Sequence, residues 1–207
     1  MNGCRTSVFG MLLATLASSC ALTSNSPPLD VRYFSVDVPG ATTTTRAADL
    51  AASRSATEGG VPSLALGRVR SSEFLRDRIV QQEEDGSRRA SEAERWTEYP
   101  EAYLRRSLVA SLFSDDRFAQ SLGRGVPTLD AELLAFEEVR RHDRRAGRVS
   151  VEYRLRAGDR ILAQDVVTAE RDVPLGGGIA PVADALEVAL GDVTRVIAAQ
   201  SAEVLRR

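Results

Sequence analysis

The sequence predicts an α+β domain: one antiparallel or mixed β-sheet with two main helices, at about 100–114 and 179–205, on one face. Three observations carry that prediction. Val149, Val151, Tyr153 and Leu155 alternate with Ser150, Glu152 and Arg154, the period of a half-buried strand. Ile179, Val182, Leu186, Leu190, Val193 and Ile197 recur at threes and fours, an apolar stripe wide enough to cover a sheet. The order is strands, helix, strands, helix, with no repeat period, and residues 32–207 need no second domain.

Taken in order, Phe34, Val36 and Val38 alternate with Ser35 and Asp37 and predict a first strand over 32–38. Residues 39–62 are rich in Thr, Ala, Ser and Gly, without apolar periodicity. They form either a structureless excursion or one that holds a short helix near Ala47–Ser53. Leu64–Arg70 predicts a second strand. Ile79–Glu84 and Ser87–Trp96 flank Asp85-Gly86, which supplies the positive φ a tight hairpin turn requires. Glu83, Glu84 and Asp85 read as a solvated turn.

The first helix begins near Pro100, whose missing N–H costs little in a first turn. Leu104, Leu108 and Leu112 follow at intervals of four, with Val109 and Phe113 beside them. Asp115 and Asp116 oppose the dipole and mark its end. Thr128–Arg145 reads both ways. Asp130–Val139 has helical propensity behind a capping residue, whereas Leu129, Ala131, Leu133 and Ala135 line one face of a strand. Ala157-Gly158-Asp159 makes a turn into a return strand at Ile161–Thr168, and Gly176-Gly177-Gly178 breaks the chain before the last helix.

The N-terminus has another pattern. Arg5 precedes an apolar run, Val8 to Ala17, too short to span a bilayer, and small Ser18 and Ser19 precede Cys20. Leu16-Ala17-Ser18-Ser19-Cys20 resembles the lipobox of bacterial lipoproteins, with leucine four rather than three residues before the cysteine. The resemblance implies a signal peptide at 1–19, cleavage, and a lipidated Cys20. Residues 20–31 then form a small, polar, proline-bearing tether. Ala21 after the cysteine fits outer-membrane sorting.

Composition limits the chemistry. The formal charge is −2, so nucleic acid is not an expected partner; all basic side chains are arginine, a usage to which no role is attached. Cys4 leaves with the signal and Cys20 carries lipid, so the domain holds no thiol and no disulfide. One histidine and no cysteine pair remove the usual zinc constellations. His142, flanked by Arg140, Arg141, Arg144 and Arg145, reads as a solvated loop residue. A P-loop needs a lysine that the chain lacks, and neither a G-x-S-x-G elbow nor a Ser-His-Asp triad is indicated. No cofactor, metal or catalytic residue is expected.

Two features stay open. The cluster Arg140, Arg141, Arg144, Arg145 and Arg148 is a solvated strand edge relieved by Asp143, or a contact for lipid phosphates or an acidic partner surface. Trp96, the one tryptophan, is core packing at a strand–helix junction or a partner contact.

Several segments together resemble the ABC-type transport auxiliary lipoprotein family. They are Cys20, Arg32-Tyr33-Phe34-Ser35-Val36, Leu64–Val69, Phe74–Val80, the Asp85-Gly86 turn leading to Glu94-Arg95-Trp96, and the helix Tyr103–Phe113. The resemblance implies a strand at Leu129–Val139 and a lipid-anchored α+β domain facing the periplasm, at the outer membrane. It implies as partners an MCE-domain protein and an ABC permease/ATPase complex moving phospholipid between membranes. The segment 39–62 is longer than the family pattern. Two rival functions are a lipoprotein that activates cell-wall synthesis or assists another envelope assembly, and a lipid-modified hydrolase.

Overall fold

Three consecutive strands of 14 residues form the spine of the molecule. A computed structural model describes residues 29–38, 61–114, 117–123 and 125–207. The elements in chain order are β1 (Arg32–Phe34), β2 (Ser63–Ser71), β3 (Arg78–Gln82), β4 (Arg88–Trp96), α1 (Pro100–Phe113), β5 (Ala119–Gln120), β6 (Thr128–Arg141), β7 (Arg144–Ala157), β8 (Arg160–Val173) and α2 (Ala180–Leu205). The expected signal 1–19, Cys20, the tether up to residue 28, segment 39–60 with its short helix, and Asp115 and Asp116 lie outside the described residues.

The strands make one mixed sheet of eight. Along one edge of β6 runs β7, antiparallel; along the other, β2 and then β3 lie end to end, both parallel to it. Outside β3 come β4 and then β1, while β8 flanks β7. Pairing on both edges decides the ambiguous stretch: tertiary context makes Thr128–Arg141 a strand against its helical propensity.

Two expectations need correction. β1 is a strand only as far as Phe34, because its partner β4 ends at Trp96; Val36 is nonetheless buried beyond it. Val109 does not join the apolar face of α1 but is 39% exposed, and Tyr103 takes that place in the core. The Asp85-Gly86 hairpin forms as expected, with Gly86 at φ 82° and the Glu83 N–H on the Ser87 carbonyl at 2.9 Å.

Both helices lie on one face of the sheet, α2 on β7 and β8, α1 on β2 and β6, and they touch each other. Ile179, Val182, Leu186, Leu190, Val193 and Ile197 are buried, as their spacing predicts. A polar knot joins the helices: Ser107 Oγ and Ser111 Oγ each lie 2.9 Å from Thr194 Oγ1. Trp96, Tyr103 and Phe136 form an aromatic cluster beneath α1, with Trp96 edge-on to Phe136 at 5.2 Å. Among the described residues no helix lies on the second face of the sheet, as antiparallel and mixed sheets permit.

Candidate functional site

Two adjacent acids in the second half of β6, Glu137 and Glu138, organise the charged surface. A register shift between Leu133 and Ala135 changes which residues face the helices, so that Phe136 points into the core. Successive side chains alternate, and Glu138 therefore lies on the helix side and Glu137 on the open side. Both are buried, and a buried carboxylate costs several kcal/mol unless it is paired. Each has two arginine partners.

On the helix side, Glu138 Oε1 accepts from Arg145 Nε at 2.5 Å, and its Oε2 is 3.0 Å from Arg140 Nη2. The hydrogen bond to Glu138 raises the pKa of Arg140 further. The terminal nitrogens of Arg145 also reach the carbonyls of Pro174, Gly176, Gly177 and Gly178 at 3.1–3.3 Å. The triglycine break is thus a turn tied down by an arginine. On the open side, Glu137 takes Arg148 and Arg88, the latter at 2.9 Å. Arg148 also donates to Gln82 at 2.7 Å, and Arg144 reaches Asp172 at 2.5 Å and Glu170 at 3.1 Å. Asp172 is the main cause of a raised Arg144 pKa.

Further along the open face, a groove of about 520 Å³ is lined by residues that include Gly67, Arg68, Arg70, Asp130, Arg154 and Arg156. Its floor is a bulge. Asp130 accepts the Arg68 backbone N–H at 2.7 Å and pairs with Arg156 at 3.0 Å, while a side chain on Gly67 would overlap Asp130 and Thr128. Burial pushes the Asp130 carboxyl up, but the Arg68 N–H and the Arg156 guanidinium outweigh it and hold it below the usual carboxylate range. Tyr153, beside it, is pushed up by burial and by Asp165, and donates to Gln200 at 3.0 Å.

The structure splits the predicted arginine cluster between two faces. Arg140 and Arg145 share Glu138 on the helix side, while Arg144 and Arg148 join the ladder of the open face. Their relief comes from Glu137, Glu138, Glu170 and Asp172; Asp143 stands exposed in the hairpin turn beside His142. Arg141 is exposed and has no ion-pair partner among the described residues. Trp96 is 2% exposed: its ring belongs to the aromatic core and offers no surface to a partner. Its Nε1 is buried and without a hydrogen-bond acceptor among the described residues.

Sequence reasoning missed Glu137 and Glu138. The signal available was an acid doublet inside an apolar strand, mirrored across the hairpin by arginines. These groups hold one another's charge.

The chain matches the sequence profile of the ABC-type transport auxiliary lipoprotein component over residues 45–198. It belongs to that family. Among solved structures, the ABC-type transport auxiliary lipoprotein resembles protein XCC0632 from Xanthomonas campestris, described as DUF330, at 16% identity. The match covers 84% of this chain and 97% of that one, with a TM-score of 0.66. It also resembles the hypothetical protein CT253 from Chlamydia trachomatis, at 11% identity over 72% and 100% of the two chains, with a TM-score of 0.52. At these identities the likeness is one of fold. No curated protein matches the sequence.

Proposed function

We propose that this protein is the lipid-anchored periplasmic auxiliary component of an ABC/MCE-type intermembrane lipid transport system. It is held at the outer membrane through Cys20 and docks the MCE-domain protein and its ABC permease/ATPase complex. The observation that carries the reading is the family match over residues 45–198. Residues 1–19 serve as signal, 20–31 as lipidated tether and 32–207 as the docking domain, with 39–62 as an insertion. The protein contributes no catalysis of its own.

Physical chemistry supports the anchoring. One acyl chain binds a bilayer only marginally, but each buried CH2 adds about 0.8 kcal/mol, so several chains hold a domain stably. The open face supports the docking, since its described residues present ordered charge.

Two measurements test the reading. Cys20→Ser is expected to abolish palmitate labelling and membrane retention; unchanged retention would refute the lipobox reading. Crosslinking of the intact protein in cells is expected to capture an MCE-domain partner. Capture of cell-wall enzymes alone would favour the rival role in cell-wall synthesis.

A further inference from the structure

At the hairpin end of β6 and β7, a recess is bounded by Arg140, Arg141, Arg145, Leu175 and Gly177. Arg140 and Arg145 share one carboxylate, Glu138, which is buried behind them. Arg140 Nε is buried and without an acceptor, and Arg141 is exposed and unpaired among the described residues. Leu175, on the rim, is 66% exposed. Arg145 is spent on Glu138 and the loop carbonyls, so Arg140, with a free Nε, and the unpaired Arg141 are the guanidiniums that stand beside an exposed apolar side chain, the chemistry that meets an anionic group at an apolar boundary.

The direction of the chain says which anion lies near. β3 is parallel to β6, β4 antiparallel to β3, and β1 parallel to β4. β1 therefore runs away from the hairpin end, and the chain reaches Arg32 from that end. Eight residues lie between Cys20 and Leu29, a reach of at most about 30 Å. Arg32 pairs with Glu94 beside Arg78 and stands level with the middle of β6, roughly 20 Å from the hairpin end and roughly 25 Å from the far end. The hairpin end is the nearer one and the chain enters from its side, so it is the end an anchor on Cys20 brings toward the membrane.

We propose that this recess holds the headgroup phosphate of an anionic phospholipid in the leaflet that carries the Cys20 anchor, with Leu175 entering the interface. The inference rests on the anchoring proposed above. Carboxylates stand at the same end: Glu83, which acts on Arg140, with Glu84 and Asp85 in the β3–β4 turn, and Asp143 in the hairpin turn. Recognition is therefore local to the recess rather than a field of the whole end.

The test uses the lipidated protein reconstituted in phosphatidylcholine vesicles with and without phosphatidylglycerol. A fluorophore on His142→Cys, at the hairpin tip, is expected to be quenched by headgroup-labelled lipid only when phosphatidylglycerol is present. A fluorophore on Asp159→Cys, in the turn at the opposite end, is expected to stay unquenched. Arg141→Gln, and Arg140→Gln with Arg141→Gln, are expected to weaken the association about fivefold per arginine, with flotation on Cys20 intact. Arg141→Gln removes an exposed, unpaired side chain, so its reading does not depend on folding. Equal quenching at the two positions, or quenching indifferent to both variants, overturns the proposal. So does a photo-crosslinker at position 141 that captures an acidic protein and no lipid. Loss of flotation in the unmutated protein marks failure of the anchor instead; the recess is then still read by adding phosphatidylglycerol vesicles to the unacylated chain.

Discussion

Arg145 binds Glu138 through Nε at 2.5 Å and, through its terminal nitrogens, holds the carbonyls of the loop that leads into α2. One guanidinium thus fixes a buried charge and the start of the longest helix. Arg145→Ala leaves Glu138 with Arg140 alone and frees the loop. The expected loss is about 2–4 kcal/mol, less than the full cost of an unpaired buried carboxylate because one partner remains. Lysine is expected to rescue it poorly, since a point charge cannot replace the planar fork. Urea unfolding of the two variants checks this; equal stability of Ala and wild type would show the pair to be ornamental.

Gly147 lies opposite Glu138 in the β6–β7 ladder, under α2. An added Cβ would sit 3.0 Å from Leu186 N and from Ala185 Cβ, so the helix backbone itself must move. Gly147→Ala is expected to cost about 1–3 kcal/mol by overpacking. Thermal unfolding measures it, with Gly176→Ala, where nothing stands within 4 Å, as the contrasting variant.

Thr194 Oγ1 joins Ser107 and Ser111 between the helices. Thr194→Val keeps the shape and leaves the buried Ser107 hydroxyl without this partner, at an expected cost of about 1–2 kcal/mol. A double-mutant cycle with Ser107→Ala is expected to return part of that loss. Strict additivity would mean that the hydroxyls do not act as a unit.

Asp130 gives a pH dependence with a definite sign. Its folded-state pKa lies below that of an ordinary aspartate, so the unfolded chain takes up the proton first as pH falls. The stability it contributes is complete above the unfolded value and is lost as pH drops through the folded one. Asp130→Asn is therefore expected to be less stable at neutral pH and to lose less between pH 5 and 3. Parallel acid-limb curves for the two proteins would contradict it.

The apolar stripe of α2 and the Asp85-Gly86 turn were readable because their signals are local: a spacing and a dipeptide. β6 was not readable from its residues alone, and the cause is physical. The register shift after Leu133 interrupts the period of two, so half of the strand looks aperiodic while its composition favours a helix. The start of β7 hid for a related reason, since Gly147 carries no side chain where α2 presses on the strand. The partners of Glu137 and Glu138 depend on a register set by the two-residue turn at His142-Asp143, which decides that Glu137 faces Arg148. Val109 was misread because spacing fixes an apolar face but not its width.

The end-to-end seating of β2 and β3 on β6 also bears on when the molecule can fold. Ala65 must find Thr128, and Val80 must find Glu137, across separations of about sixty residues, whereas β6, β7 and β8 form a local meander. Loop-closure entropy places the meander first and the N-terminal strands later, on a template that is made after them. The export proposed above gains from that order: until β6 has followed, β2 and β3 have no parallel partner to lock onto.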